Sequence, residues 1–199
     1  MPKSVDVAER DRLVSEAAWR VLVRDGLTEL SVRRVAAEAG LPPSSLRYSF
    51  PTQASVRERA VALLVERLTA RVAAHAEAER AGEQEARAIL LELLPLDDER
   101  RIEMEVSLAL GAMAMTDHAL WKAHQYAHRA IRSACTRALG LLGADARDVA
   151  GTHALIDGLA LHLVRQHPRA DSDWALSALT TQLARLCAST TESAGQPGQ

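Results

Sequence analysis

The sequence predicts an all-α fold, and three observations carry that reading. Aromatic residues are only 3% of the 199, while alanine and leucine, which lose little freedom in a helix, dominate. β-Branched residues are few outside scattered valines. Apolar residues recur at three- and four-residue steps rather than in alternation. With 48% hydrophobic residues the chain is long and apolar enough to bury a sizeable core.

The elements follow in order. Over 7–24, Leu13, Ala17 and Val21 run beside Val14, Ala18 and Leu22 at four-residue steps, the mark of an amphipathic helix that Gly26 ends. Ser31 is placed to cap a helix over 32–39, and Gly40 stops it, because glycine enters the left-handed cap conformation freely. Pro43 suits the first turn of a short helix over 43–49, where its missing N–H has no partner to lose. Pro51 closes that helix and Thr52 caps a long one over 53–79, with Val56, Ala60, Leu64, Leu68 and Val72 on one stripe. Further helices are predicted over 84–94, 98–115, 119–142, 146–166 and 172–189, with Asp98 and Ser172 in N-cap positions. Pro95, Thr116 with Asp117, Gly143 and Pro168 separate them. The tail 190–199 lacks apolar anchors and reads as disordered.

The formal net charge of −2 argues against a polycation or an acidic tail, yet it hides an asymmetry. Residues 1–60 hold ten Lys and Arg against eight Asp and Glu, whereas 61–199 hold fourteen against eighteen. Cys135 and Cys187 are isolated and imply neither a disulfide framework nor a zinc knuckle. No stretch has the length and apolarity of a signal peptide or a membrane span, so a cytoplasmic protein with no membrane partner is expected.

The interruption at "RRVAAEAGLPPSSLRYSF", 33–50, carries the functional signal. Two short helices joined by a tight turn and braced by a preceding amphipathic helix make a helix-turn-helix, whose second helix is offered to the DNA major groove. Ala36, Gly40 and Leu46 supply the small residue, the turn glycine and the apolar anchor that close crossing requires. The outward set, Ser44, Ser45, Arg47 and Tyr48, combines short hydroxyls with a guanidinium and a phenol able to reach bases or phosphates.

Residues 10–56 resemble the N-terminal domain of the TetR family of bacterial transcriptional regulators, whose pattern T-x-x-x-I-A-x-x-A-G-V-S-x-G-x-L-Y-x-H-F-x-S-K stands here as "SVRRVAAEAGLPPSSLRYSFPTQ". The resemblance implies a DNA-binding domain over 7–51 and a ligand-binding and dimerisation domain over 52–189. It also implies DNA contacts from Ser31, Arg33, Arg34, Pro43, Ser44, Ser45, Arg47, Tyr48 and Gln53. Three departures stand out: Pro42 replaces the turn serine, Arg47 the phosphate-binding tyrosine, and Gln53 the lysine that opens the fourth helix, which removes a charge from the phosphate-facing side. The run "LRY-x-F-P-x-Q" is similar to one branch of the family, and "LELLPLDDERRIEMEV" and "ALIDGLALHLV" resemble that branch too.

The residues beyond 52 independently suggest two roles. Leu179, Leu183 and Leu186 follow heptad-like steps, and Val149, Ile156 and Leu163 recur every seven with Leu159 beside them and Gly151 and Gly158 for close approach. These seven apolar residues are the expected homodimer interface. Met104, Met113, Trp121, His124 and His128 crowd one window and offer the polarizable, aromatic and polar surface of an effector pocket. His124 and His128 also have a metal-binding spacing, but no third ligand accompanies them, and no motif calls for a cofactor. No phosphate loop, nucleophile elbow or acid/base pair suggests an enzyme. The reading is a transcriptional regulator, a repressor released from a palindromic operator by a small-molecule effector.

Overall fold

The computed structural model describes residues 3–47, 50–77 and 82–194, with side chains for 9–47, 50–52, 54–76 and 82–189. Among the described residues there are nine helices and no strand: α1 (Lys3–Asp25), α2 (Val32–Glu38), α3 (Pro43–Leu46), α4 (Gln53–Glu77), α5 (Gly82–Leu91), α6 (Asp98–Ala114), α7 (His118–Leu141), α8 (Ala146–Arg165) and α9 (Asp173–Ala194).

Local chemistry sets most boundaries. α1 stops at Gly26, which takes φ 81° and donates its N–H to the Leu22 carbonyl at 2.9 Å. α2 starts at Ser31, whose Oγ accepts from the Arg34 N–H at 3.3 Å. It ends in a Schellman pair: Leu41 N–H reaches the Ala36 carbonyl at 2.9 Å and Gly40 N–H, at φ 68°, the Ala37 carbonyl at 3.2 Å. α4 opens on a reciprocal cap, Ser55 N–H to Thr52 Oγ1 at 3.1 Å and Thr52 N–H to Ser55 Oγ at 3.2 Å.

Three expectations need correction. α6 is capped by Asp97, not Asp98: Asp97 Oδ1 accepts the Arg100 N–H at 2.8 Å, and Asp98 is already helical. α9 runs on to Ala194 rather than ending at Ser189, so the first half of the expected disordered segment 190–199 is helical. Extending a formed helix adds one hydrogen bond per residue at little cost, and the first strong breaker is Gly195. α3 as described is shorter than expected and closes at Arg47.

The chain divides into two compact units, Met1–Glu66 with Val106–Ala127, and Arg67–Glu105 with His128–Gln199. In the first, α2 packs on α1 and on α3, and Val14, Ala17, Ala18, Val21, Leu22, Leu30, Val35, Ala36 and Leu46 are buried. Ion pairs reinforce it from outside: Glu38 accepts from Arg20 and Arg24 of α1, both at 2.8 Å. Arg59 of α4 donates to the buried Ser15 Oγ of α1 at 2.9 and 3.1 Å.

The second unit has a continuous apolar core that includes Ile89, Leu90, Leu94, Leu139, Ile156, Leu179 and Leu183. Arg71 of α4 grips Glu103 of α6 through two nitrogens, at 3.0 and 2.5 Å, and reaches Glu92 at 3.0 Å. Arg101 donates to the carbonyls of Leu163, Val164 and Gln166 at the end of α8, of which Leu163 also accepts from the Gln166 N–H at 3.2 Å. At its other end α8 has a capping box between Asp145 and Asp148.

The seven residues expected at the dimer interface serve the core of their own chain. Val149, Ile156, Leu159, Leu163, Leu179, Leu183 and Leu186 are all buried within one chain, none more than 7% exposed. An apolar side chain already covered by its own fold has no surface left to bury against a partner. The same helical repeat describes an inner and an outer stripe, and the heptad spacing picked the inner one. The exposed residues of α8 and α9 include the small Gly151, Ala154, Ala184 and Ala188 among polar and charged ones such as Asp157 and Arg185.

Candidate nucleic-acid interface

The helix-turn-helix rests on three small or apolar contacts. Ala36 is fully buried, so α2 can approach its neighbours closely, and Leu46, 1% exposed, anchors α3. Gly40 makes the turn in a left-handed conformation that side chains resist. α3 has Pro42 in the N-cap position, extended at φ −61° and ψ 137°, and no side-chain cap. Proline at the first helical position lowers the need for one. Arg10 of α1 donates to the Ser45 carbonyl and ties α1 to α3, a link between residues 35 apart that periodicity could not reveal.

The candidate residues divide by what the fold already asks of them. Ser31 spends its hydroxyl on the α2 cap, and Ser45 donates its own to the Pro42 carbonyl at 2.7 Å. Arg34 is drawn into ion pairs with Asp25 at 3.1 Å and Glu29 at 2.7 Å. By contrast, Ser44 is exposed, and among the described residues no ion pair holds the exposed guanidiniums of Arg33 and Arg47. Both line one open cleft of about 660 Å³ together with Pro43, Pro51 and Thr52, at the start of α3 and the junction with α4. Tyr48 and the Gln53 side chain lie outside the described residues.

Electrostatics separate the same two sets. Hydrogen bonds from Arg20 and then Arg24 hold the Glu38 carboxyl below its ordinary value, and the bond from Arg24 does so for Asp25. Those carboxylates therefore neutralise arginines on the flank of the head, while the positive charge beside α3 stays uncompensated. A cleft lined by two uncommitted guanidiniums and the Thr52 hydroxyl, with no carboxylate among its lining residues, can receive an anionic, acceptor-rich polymer such as DNA.

The expected pocket residues fall in both units. Trp121 and His124 of the first unit lie with ring centroids 5.8 Å apart, and Gly111 leaves the room that the His124 ring occupies, since a Cβ there would stand 3.4 Å from Cε1. Met113 is half-buried, and Trp121 is 48% exposed. In the second unit Met104 packs against the apolar core, and His128 is exposed, its ring against that of His153. His153 was missed in the sequence because it sits inside an apolar run; its four-residue spacing to Asp157 was the available signal. Among the described residues no group of three His, Cys, Asp or Glu could hold a metal ion, and no helix is long and apolar enough to cross a membrane.

Known proteins share this architecture. The HTH-type transcriptional regulator PksA of Bacillus subtilis (strain 168) is 31% identical over 197 residues, which cover 94% of each chain. A transcriptional regulator from Rhodococcus sp. Rha1 superposes with a TM-score of 0.73 at 26% identity, over 88% of this chain and 94% of that one. The multidrug binding protein EbrR, solved with imidazole, gives a TM-score of 0.64 at 27% identity, over 87% and 94%. Residues 82–188 match the family described as BetI-type transcriptional repressor, C-terminal. Both parts of the chain, the helix-turn-helix and the helical bundle, thus lead to one assignment: the protein belongs to the TetR family of transcriptional regulators.

Proposed function

We propose that the protein is a homodimeric repressor that binds a near-palindromic operator and lets go of it when a small organic molecule binds. The observation that carries this reading is the pair of uncommitted arginines, Arg33 and Arg47, in the cleft beside α3. Arg33, Ser44 and Arg47 contact DNA directly, and Tyr48 and Gln53 are further contacts proposed from the sequence pattern. Ser31, Arg34 and Ser45 act mainly by shaping the head. Arg47 stands where related regulators use a tyrosine on phosphate, and the run from Leu46 to Gln53 marks a branch of the family.

Two heads held by a two-fold axis present their third helices one turn of B-DNA apart, roughly 34–36 Å. Dimerisation uses the exposed side of α8 and α9 at Gly151, Ala154, Ala184 and Ala188, in place of the buried leucines. A Cβ added at Gly151 or Gly158 would meet nothing within 4 Å, so a second backbone can come close there. EbrR with imidazole supports a small organic effector, with Met113, Trp121 and His124 of the first unit as candidate contacts. Effector binding shifts the operator-competent state only as far as its affinities for the two states differ.

The test is selection of bound fragments from random DNA by the purified protein, repeated with Arg47→Ala. A palindromic consensus with half-sites one turn apart supports the reading. Enrichment of no sequence, or a monomer at working concentration, overturns it.

A further inference from the structure

The second unit holds an ionisable side chain with an unmet polar atom. His153 is 6% exposed, and its Nε2 is buried without a hydrogen-bond partner. Asp157, one turn further along α8, places Oδ2 3.6 Å away, beyond hydrogen-bonding reach, on a side chain 54% exposed. From α7 the ring of His128 lies against His153, with centroids 4.6 Å apart and planes inclined at 46°. Arg132, a turn beyond His128, adds a positive charge. On the α9 side the neighbouring group is neutral, Gln182 donating to Thr152 at 3.3 Å.

A neutral imidazole is tolerated in this setting. A proton would create a charge where burial has removed water and where His128 and Arg132 repel it, with Asp157 alone attracting it. Burial, opposed by Asp157 and aided by His128 and Arg132, lowers the basicity of His153 from its ordinary value.

We propose that the contacting pair His128 and His153 is an acid-operated latch between α7 and α8, closed while both rings are neutral and loosened when His153 takes a proton. Because α8 also carries the face assigned above to dimerisation, loosening it weakens operator binding; this last step rests on that functional reading. The sign follows from linkage. The folded chain binds the proton less readily than the unfolded one, so stability is unaffected above about pH 6.5 and falls below it. The folding equilibrium drops by at most about tenfold per pH unit until the folded-state titration is reached.

Proton NMR titration of the histidine ring signals in the full-length protein, with thermal unfolding at about pH 7.5 and about pH 5, tests the latch. His153 should titrate below a free imidazole, and His153→Phe, which keeps a ring but cannot be charged, should lose less unfolding temperature on acidification than the wild type. Asp157→Asn should make the chain more acid-sensitive. If His153→Phe fails to fold, His128→Phe replaces it and should raise the titration point of His153 by removing a repelling neighbour. A His153 that titrates at or above the ordinary value, or pH profiles that coincide, overturns the latch. Operator binding measured alongside should fall on acidification in the wild type only. A wild type that binds no duplex at any pH strikes the DNA-binding reading and leaves the latch to be judged on titration and melting.

Discussion

The two units differ in where their unmatched arginines lie. In the second, Arg71 is fastened to Glu92 and Glu103, and Arg101 to the carbonyls that end α8. In the first, Arg20, Arg24 and Arg34 are likewise matched to acids, but Arg33 and Arg47 are left over beside α3. Two unmatched like charges in one cleft add nothing to folding. The lesson is that unmatched arginines point to an interface where they converge, since Arg87, Arg129 and Arg185 of the second unit also have no ion pair among the described residues, and that a basic count alone, ten against eight in the first sixty residues, would have pointed at the wrong arginines as readily as the right ones.

The comparison can be broken most strongly at its packing. Leu46→Ala in the head and Ile156→Ala in the bundle should each destabilise the chain by roughly 2–5 kcal/mol, since both side chains are almost wholly buried. Denaturant unfolding reads this, and an unchanged midpoint would show that the site is not core. Next, Arg71→Met leaves Glu103 without its bidentate partner, while Glu92 keeps His75 at 3.0 Å and Arg100 at 3.7 Å. Because Arg71 is 26% exposed, solvent recovers part of the loss, and a cost of roughly 1–3 kcal/mol is expected in the same experiment.

Arg47→Ala should do the reverse: unfolding stays within about 0.5 kcal/mol, while operator affinity drops by about 1–3 kcal/mol. A loss confined to one base position marks base contact, and a uniform loss with a flatter salt dependence marks phosphate contact. Fluorescence anisotropy at several salt concentrations separates them, and no change in either removes Arg47 from the interface. Gly40→Ala, at φ 68°, should cost about 1–2 kcal/mol through backbone strain, because open space surrounds the site and no clash contributes. The smallest effect belongs to Arg34→Ala. Its ion pairs are exposed, so both melting and operator affinity should stay near wild type; a large fall in affinity would move Arg34 into the contacting set.

Much of the head was legible beforehand. The Ser31 cap, the Gly40 stop, Pro43 in the first turn and the Thr52 cap all lie within a few residues of the groups they serve, so spacing along the chain was enough. The bundle was legible as helices but not as surfaces. Heptad spacing found the apolar stripe of α8 and α9 without telling whether it meets its own chain or a second one, and burial decided for its own. Asp97 rather than Asp98 as the cap of α6 shows the finer limit, since adjacent acids differ only in which backbone N–H each can reach.

Sequence alone determined the helical class, the interrupted segment at 33–50 and the kind of side chain offered there. These depend on intrinsic preference and on periodicity, which act within a few residues. Tertiary structure decided which of those side chains remain free. Whether an arginine is spent depends on acids such as Glu38, 18 residues from Arg20, and whether a histidine such as His153 is buried depends on α7 lying against α8. Such pairings are made by the folded chain in three dimensions, and no local pattern encodes them.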